Sequence, residues 1–239
     1  MIVKNTNRGW EIVTQTAHAF LAAQIADKLS ENFKNEYWLE TLLAVYNHET
    51  LETDFNSGSV LNNKGMPLDF RESKETETQT LKKIQTMVHT IIYRSSIVNA
   101  LIVRHLKFLH PNIFKSNKAN YGDIIDDVCT RFNIGKTLFE KMYGVLQFTD
   151  RLSLIICFDE LPETNRKIEI NDSLSENSVF VTNLNNKFII EPWPFESNKI
   201  SVYKECRVMK SASFNSENAF LKEYHNMKIE TITYEFLEG

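Results

Sequence analysis

Three of the chain's six histidines, one acidic neighbour and one late aspartate fall on apolar stripes with helical spacing. In order they are His18, the pair His48-Glu49, His105 and Asp150. Polar titratable groups on buried faces are costly unless they are paired or hold a metal. Imidazoles with carboxylates make the nitrogen and oxygen donor set that suits a divalent first-row metal or Mg²⁺. The expected metal ligands are His18, His48, Glu49 and Asp150, and the expected ion is Mn, Fe, Zn or Mg. His105 and Glu49 are the candidate catalytic groups, His105 as a further ligand or a proton donor. A metal held there would lower the pKa of bound water to about 7 and so supply a nucleophile at neutral pH.

The stripes say which elements must position these groups. His18 shares a face with Leu21, Ala22, Ile25 and Leu29, and His48 with Leu42, Ala44, Val45 and Leu51. His18 lies as far before the end of its helix, near Ser30, as His48 lies after the start of the next, near Glu36. A short connection makes the two helices antiparallel, so the rings fall at one height. His105 follows Val98, Leu101 and Ile102. Asp150 follows Tyr143, Leu146 and Gln147 in the most apolar helical stretch, where a carboxylate needs a positive partner. Arg151 points about 100° away from it, so that partner comes from another helix. A single histidine on an apolar face is ordinarily a satisfied core residue, and the whole set also reads as a buried hydrogen-bond network.

Other chemistry-bearing residues have plainer readings. His89 lies between stripes, His110 precedes Pro111 at a helix end, and His225 sits on an amphipathic helix. Ser95-Ser96 reads as a helix cap. Gly135-Lys136-Thr137 lacks the earlier glycine and the preceding strand of a phosphate loop and reads as a turn and helix start. Cys157 is inert by burial. Pro192-Trp193-Pro194-Phe195 reads as a rigid corner sealing sheet to helices, with substrate stacking as the lesser alternative. Arg104 and Arg151 are the cations nearest the stripes.

The remaining pattern divides into helices and then strands. Ile2–Lys4 and Trp10–Val13 alternate around a turn and predict a hairpin. Thr16 is read as the cap of a helix over about 17–30, followed by helices over about 36–51, from Glu77 to Tyr93, from Ser96 to His110, over 121–132 and over 136–158. Residues 52–75, broken by Gly58, Gly65 and Pro67, read as a loop. Strands are expected at Ile168–Ile170, Val179–Val181, Phe188–Ile190, Ile200–Tyr203 and Ile229–Phe236, with a hairpin turn at Asn183–Asn186 and a helix at 217–226. A lone hairpin is marginal in water. The N-terminal one is therefore expected to join the C-terminal strands. The expectation is an α+β fold and one domain over 1–239. A helical bundle would span 16–160. A β subdomain made of 1–15 and 161–239 would carry one antiparallel sheet.

Bulk properties exclude some classes. The 239 residues carry a net charge of −4, which offers no basic surface for nucleic acid or an anionic membrane. No run approaches the roughly 18 apolar residues of a membrane span, and the start lacks a signal-peptide core. Cys129, Cys157 and Cys206 are far apart, which predicts a reducing cytoplasm and no disulfide framework. The partner expected is a small-molecule substrate, not nucleic acid or membrane.

His18, His48-Glu49 and Asp150, in that order on helices, resemble the signature of the HD superfamily of metal-dependent phosphohydrolases. That resemblance implies an HD-like bundle and hydrolysis of a phosphoester. Glu49 departs from the superfamily's aspartate by one methylene. The whole chain also resembles a bacterial family of unknown function, domain-of-unknown-function family 3891. The features that carry this likeness are Ile2-Val3, Thr14-Gln15 with His18-Ala19, Leu43-Ala44-Val45 with His48, Pro67-Leu68-Asp69-Phe70, Asp150 to Leu154, and Pro192 to Phe195. It implies a common fold and no particular activity. Two further readings stand beside the hydrolase. One is a non-catalytic module binding a small molecule or a protein. The other is a non-haem iron oxygenase, since such ligands also suit iron.

Overall fold

The chain opens with a hairpin, β1 (Ile2–Thr6) and β2 (Gly9–Val13), in which Thr6 pairs with Gly9. Gly9 is obligatory. Its φ is +122°, and a Cβ there would lie 2.1 Å from the Met209 carbonyl oxygen. This computed structural model describes residues 1–49, 55, 59–73, 76–92, 95–115 and 121–239. Leu51, Gly58 and Tyr93, used in the sequence reading, lie outside them.

Among the described residues, seven longer segments turn helical through residue 157: α1 (Gln15–Asp27), α2 (Trp38–Asn47), α3 (Glu77–Ile92), α4 (Ser96–Leu109), α5 (Pro111–Lys115), α6 (Gly122–Phe132) and α7 (Lys136–Cys157). The first cap is Thr14, whose hydroxyl accepts from the Ala17 N–H, and not Thr16. The α2 helix is shorter at both ends than the apolar pattern suggests, so His48 becomes its capping residue. Ser95 caps α4 as expected. Pro111 both stops α4 and starts α5, since a proline loses no hydrogen bond in a first helical turn.

The strands that follow are β3 (Lys167–Asn171), β4 (Val179–Leu184), β5 (Lys187–Glu191), β6 (Lys199–Met209) and β7 (Glu230–Glu238), with α8 (Glu217–Asn226) before the last. Asn185 and Asn186, both at positive φ, form the two-residue turn between β4 and β5. All strands among the described residues join one curled, seven-stranded sheet in the order β1-β2-β6-β7-β5-β4-β3. This overturns the expected HD-like helical bundle bearing an antiparallel sheet: the fold is mixed α/β, its sheet is a half-barrel, and β5 and β7 pair in parallel. The reason is topological. After β6 and α8 the chain returns between β6 and β5, and it can run antiparallel to only one of them. Alternation reveals a strand but not its neighbour's direction.

The α7 helix is central, packed on α1, α2, α4 and β3. Its Gly144 passes so close to the β3–β4 loop that a Cβ would sit 2.1 Å from the Ser173 carbonyl oxygen. The Ser173 hydroxyl donates to the Gly144 carbonyl at 2.9 Å. Gly144→Ala should therefore lower stability by about 1–3 kcal/mol as helix and loop are forced apart. Urea unfolding would check this, and wild-type stability would count against so tight a contact. On the other side of the core, Gln24 of α1 both donates to and accepts from the backbone of Tyr203, tying α1 to β6. The Trp193–Phe195 corner does seal sheet to helices. Ser30 N–H donates to the Pro194 carbonyl, and Phe195 is buried against Phe148.

Candidate functional site

Four helical segments bring His18, His48, His105 and Asp150 together. His18 lies just past the Thr14 cap of α1, and His48 caps the far end of α2. His105 lies on α4 and Asp150 on α7. The histidines are 0%, 3% and 2% exposed. The side chain of Asp150 keeps 16% of its surface and that of Glu49 17%, so the site meets solvent at its carboxylates.

Three atoms form a tight triangle. Asp150 Oδ1 is 3.0 Å from His18 Nε2 and 3.2 Å from His48 Nε2, and the two Nε2 atoms are 3.3 Å apart. The rings meet edge to face at a centroid distance of 5.2 Å. Outer contacts fix their orientation. The Ser153 hydroxyl donates to the Asp150 carbonyl at 2.8 Å, so its lone pair receives the His18 Nδ1–H at 3.0 Å. The His48 Nδ1–H donates to the Val45 carbonyl at 2.5 Å. Both Nε2 atoms are thereby turned inward, the arrangement typical of metal-ligating histidines. Glu49 Oε1 lies 3.9 Å from His48 Nε2. One ligand atom from each of His18, His48 and Glu49 lies within 4.8 Å of the others.

His105 stands further back, its Nε2 at 4.0 Å from Asp150 Oδ2 and its ring perpendicular to that of His48. Burial and charge act differently on these groups. Burial alone would lower His48, but the hydrogen bond and charge of Asp150, helped by Glu49 and the Val45 carbonyl, push it up to about 9. Burial likewise opposes ionisation of Asp150, yet the two histidines hold it well below the ordinary carboxylate range. His105 is pushed down to about 4, because burial and the neighbouring imidazoles outweigh the more distant Asp150. At neutral pH it is an uncharged imidazole, a hydrogen-bond donor and not an acid.

The other candidates fall elsewhere. His89 and His225 are exposed, and His110 caps α4. Burial raises the Cys157 thiol to about 12, so it is unreactive. Arg104 makes two 3.0 Å bonds to Glu140, and Arg151 reaches toward Glu160 at 3.8 Å, so each arginine is engaged away from the triangle. Sequence reasoning missed Ser153, although a polar residue three positions after Asp150 in an otherwise apolar run was a usable signal. The Val45 carbonyl carries no sequence signal at all.

The chain matches the family described as Protein of unknown function (DUF3891) over residues 1–211, and it belongs to that family. The four site residues lie inside the matched span, while α8 and β7 lie beyond it. No curated protein matches the chain, and no solved structure does. Among the described residues no helix is long and apolar enough to cross a membrane.

Proposed function

We propose that this protein is a metal-dependent hydrolase acting on a small phosphoester. The triangle of His18 Nε2, His48 Nε2 and Asp150 Oδ1 is the observation that carries this reading. Ligand atoms about 2.1 Å from a metal lie about 3.0 Å apart at right angles and about 3.4 Å apart at tetrahedral angles. The three separations, 3.0, 3.2 and 3.3 Å, fall in that window. His18, His48 and Asp150 would hold a divalent ion, with Glu49 beside them. The His, His-acid, Asp order is also that of the HD phosphohydrolase signature, with Glu49 in place of aspartate.

A bound divalent ion would supply an acidified water and a Lewis acid for the phosphoryl oxygen. The chain's own residues do the rest. Ser153 and the Val45 carbonyl hold the two rings in their inward tautomers. Glu49, partly exposed beside His48, would take a proton from an incoming water. His105, an uncharged imidazole at neutral pH, would offer a hydrogen-bond donor without adding charge.

The test is a thermal melt of protein incubated with Mn²⁺, Fe²⁺, Zn²⁺ or Mg²⁺, with and without chelator, beside elemental analysis and a screen of generic phosphoesters. A ligand at a hundred times its Kd should add about 2.7 kcal/mol to wild type and nothing to His48→Ala. Glu49→Asp should keep the metal. Melts that no metal moves would overturn the proposal. They would favour a second reading, in which a non-catalytic module keeps the cluster as a buried network. That reading has its own support, because Asp150 Oδ1 already lies within hydrogen-bond distance of both imidazoles.

A further inference from the structure

On the α4–α7 side the site keeps two buried polar atoms without partners. Tyr143 is fully buried, and its hydroxyl has no hydrogen-bond partner among the described residues. His105 Nδ1 is in the same condition. The two rings are neighbours, with centroids 6.1 Å apart. Tyr143 precedes Asp150 by two helical turns on the same face of α7, within reach of its charge. An unsatisfied buried donor costs about 1–3 kcal/mol. A phenylalanine at 143 would fill the same space without that cost, so packing does not account for the hydroxyl. Buried polar atoms left unpaired beside a candidate site point to an absent ligand.

We infer that Tyr143 is a ligand-contacting residue of this site, and that its hydroxyl, together with His105 in the tautomer that carries its proton on Nδ1, donates to an oxygen of a bound tetrahedral oxyanion, a phosphoryl group. The choice of oxyanion rests on the hydrolase reading; the presence of a ligand rests on the two unpartnered atoms. Preorganised neutral donors in a dry site stabilise an oxyanion without first having to shed a hydration shell. The Arg104 guanidinium lies 4.3 Å over the Tyr143 ring and draws electron density from it, making the hydroxyl a better donor. Glu140 holds that guanidinium in place, so it acts on the oxyanion through the phenol.

The experiment is calorimetric titration of full-length, Mn²⁺-incubated protein with inorganic phosphate, on wild type and Tyr143→Phe, with Mn²⁺ affinity measured separately on both. The expected result is unchanged Mn²⁺ affinity and a phosphate affinity at least tenfold weaker in the variant. In wild type, nitrogen-15 spectra should show the His105 Nδ1 resonance moving as phosphate is added, a readout independent of any variant. Phosphate binding by Tyr143→Phe within twofold of wild type would overturn the inference, as would a wild type that binds no phosphate. In the first of these cases the hydroxyl would serve a buried water only. Phosphate binding that is lost in Tyr143→Phe, in a protein that takes up no Mn²⁺, would uphold the inferred contact while removing the hydrolase reading.

Discussion

Asp150→Ala should unfold at markedly lower denaturant, with a loss of about 3–5 kcal/mol at neutral pH, and should bind no metal. The size follows from what the carboxylate does. Its Oδ1 lies within hydrogen-bond distance of the Nε2 atoms of two buried imidazoles, and its charge is what keeps a proton on His48. Removing one partner of a buried charged cluster leaves the other desolvated and unpaired. The variant recovers part of the loss only by letting His48 become neutral. The deficit should therefore be larger at pH 6 than at pH 9, where wild-type His48 is itself half deprotonated. Urea unfolding of wild type and variant at both pH values, with calorimetric metal titration, checks this. A variant of wild-type stability, or one that still takes up metal, would show that Asp150 is not the centre of the cluster.

The metal-free protein should also be most stable near pH 6.5 and weaken on both sides. His105 has a folded pKa of about 4 against an unfolded value near 6.5, so the unfolded chain binds the extra proton between them. Its contribution is full above pH 6.5 and is lost as pH falls toward 4, about 3 kcal/mol in all. His48 has the opposite sign. With a folded pKa of about 9, its contribution is full below pH 6.5 and is lost as pH rises through 9, again about 3 kcal/mol. A metal must displace the His48 proton, so adding one should flatten the alkaline limb and release protons that calorimetry in buffers of different ionisation enthalpy can count. Melts across pH 4–10 on metal-free protein provide the test. A curve flat between pH 7 and 10 would deny the raised His48.

The site's partners were more legible in the chain than the sheet that frames them. His18 and His48 each share an apolar stripe in the sequence, and stripes of paired helices face each other, which predicts convergence of the two rings; their ring nitrogens lie 3.3 Å apart. Asp150 was readable as a buried charge in want of a cation. The neutrality of His105 was not readable, because it depends on which rings close over it. Thr14 and Thr16 illustrate a finer limit. Two threonines stand two positions apart before one helix, and only the direction in which the chain leaves β2 decides which of them caps it. The strands after Pro162 showed in their alternation, but pairing is a property of distant segments. Nothing in Glu230–Glu238 distinguishes a rim strand from one lying parallel to β5. Lys204 shows the same limit. Its buried 2.7 Å pair with Glu11 joins β6 to β2 across most of the chain length, and neither residue stands out in its own segment.

The place of β7 governs the order in which this protein can be assembled. On one side of it lie β1, β2 and β6, and on the other β5, β4 and β3, and the two groups share no direct ladder. On a ribosome both groups emerge before β7 does. Until it arrives, β6 and β5 each present an edge of unpaired backbone donors and acceptors, the kind of surface that recruits strands from other chains. A nascent molecule stalled before Glu230 would thus carry a formed hairpin and most of its helices beside two adhesive edges. Those edges would stay open until the seventh strand arrived, however soundly the helices around Asp150 had already packed.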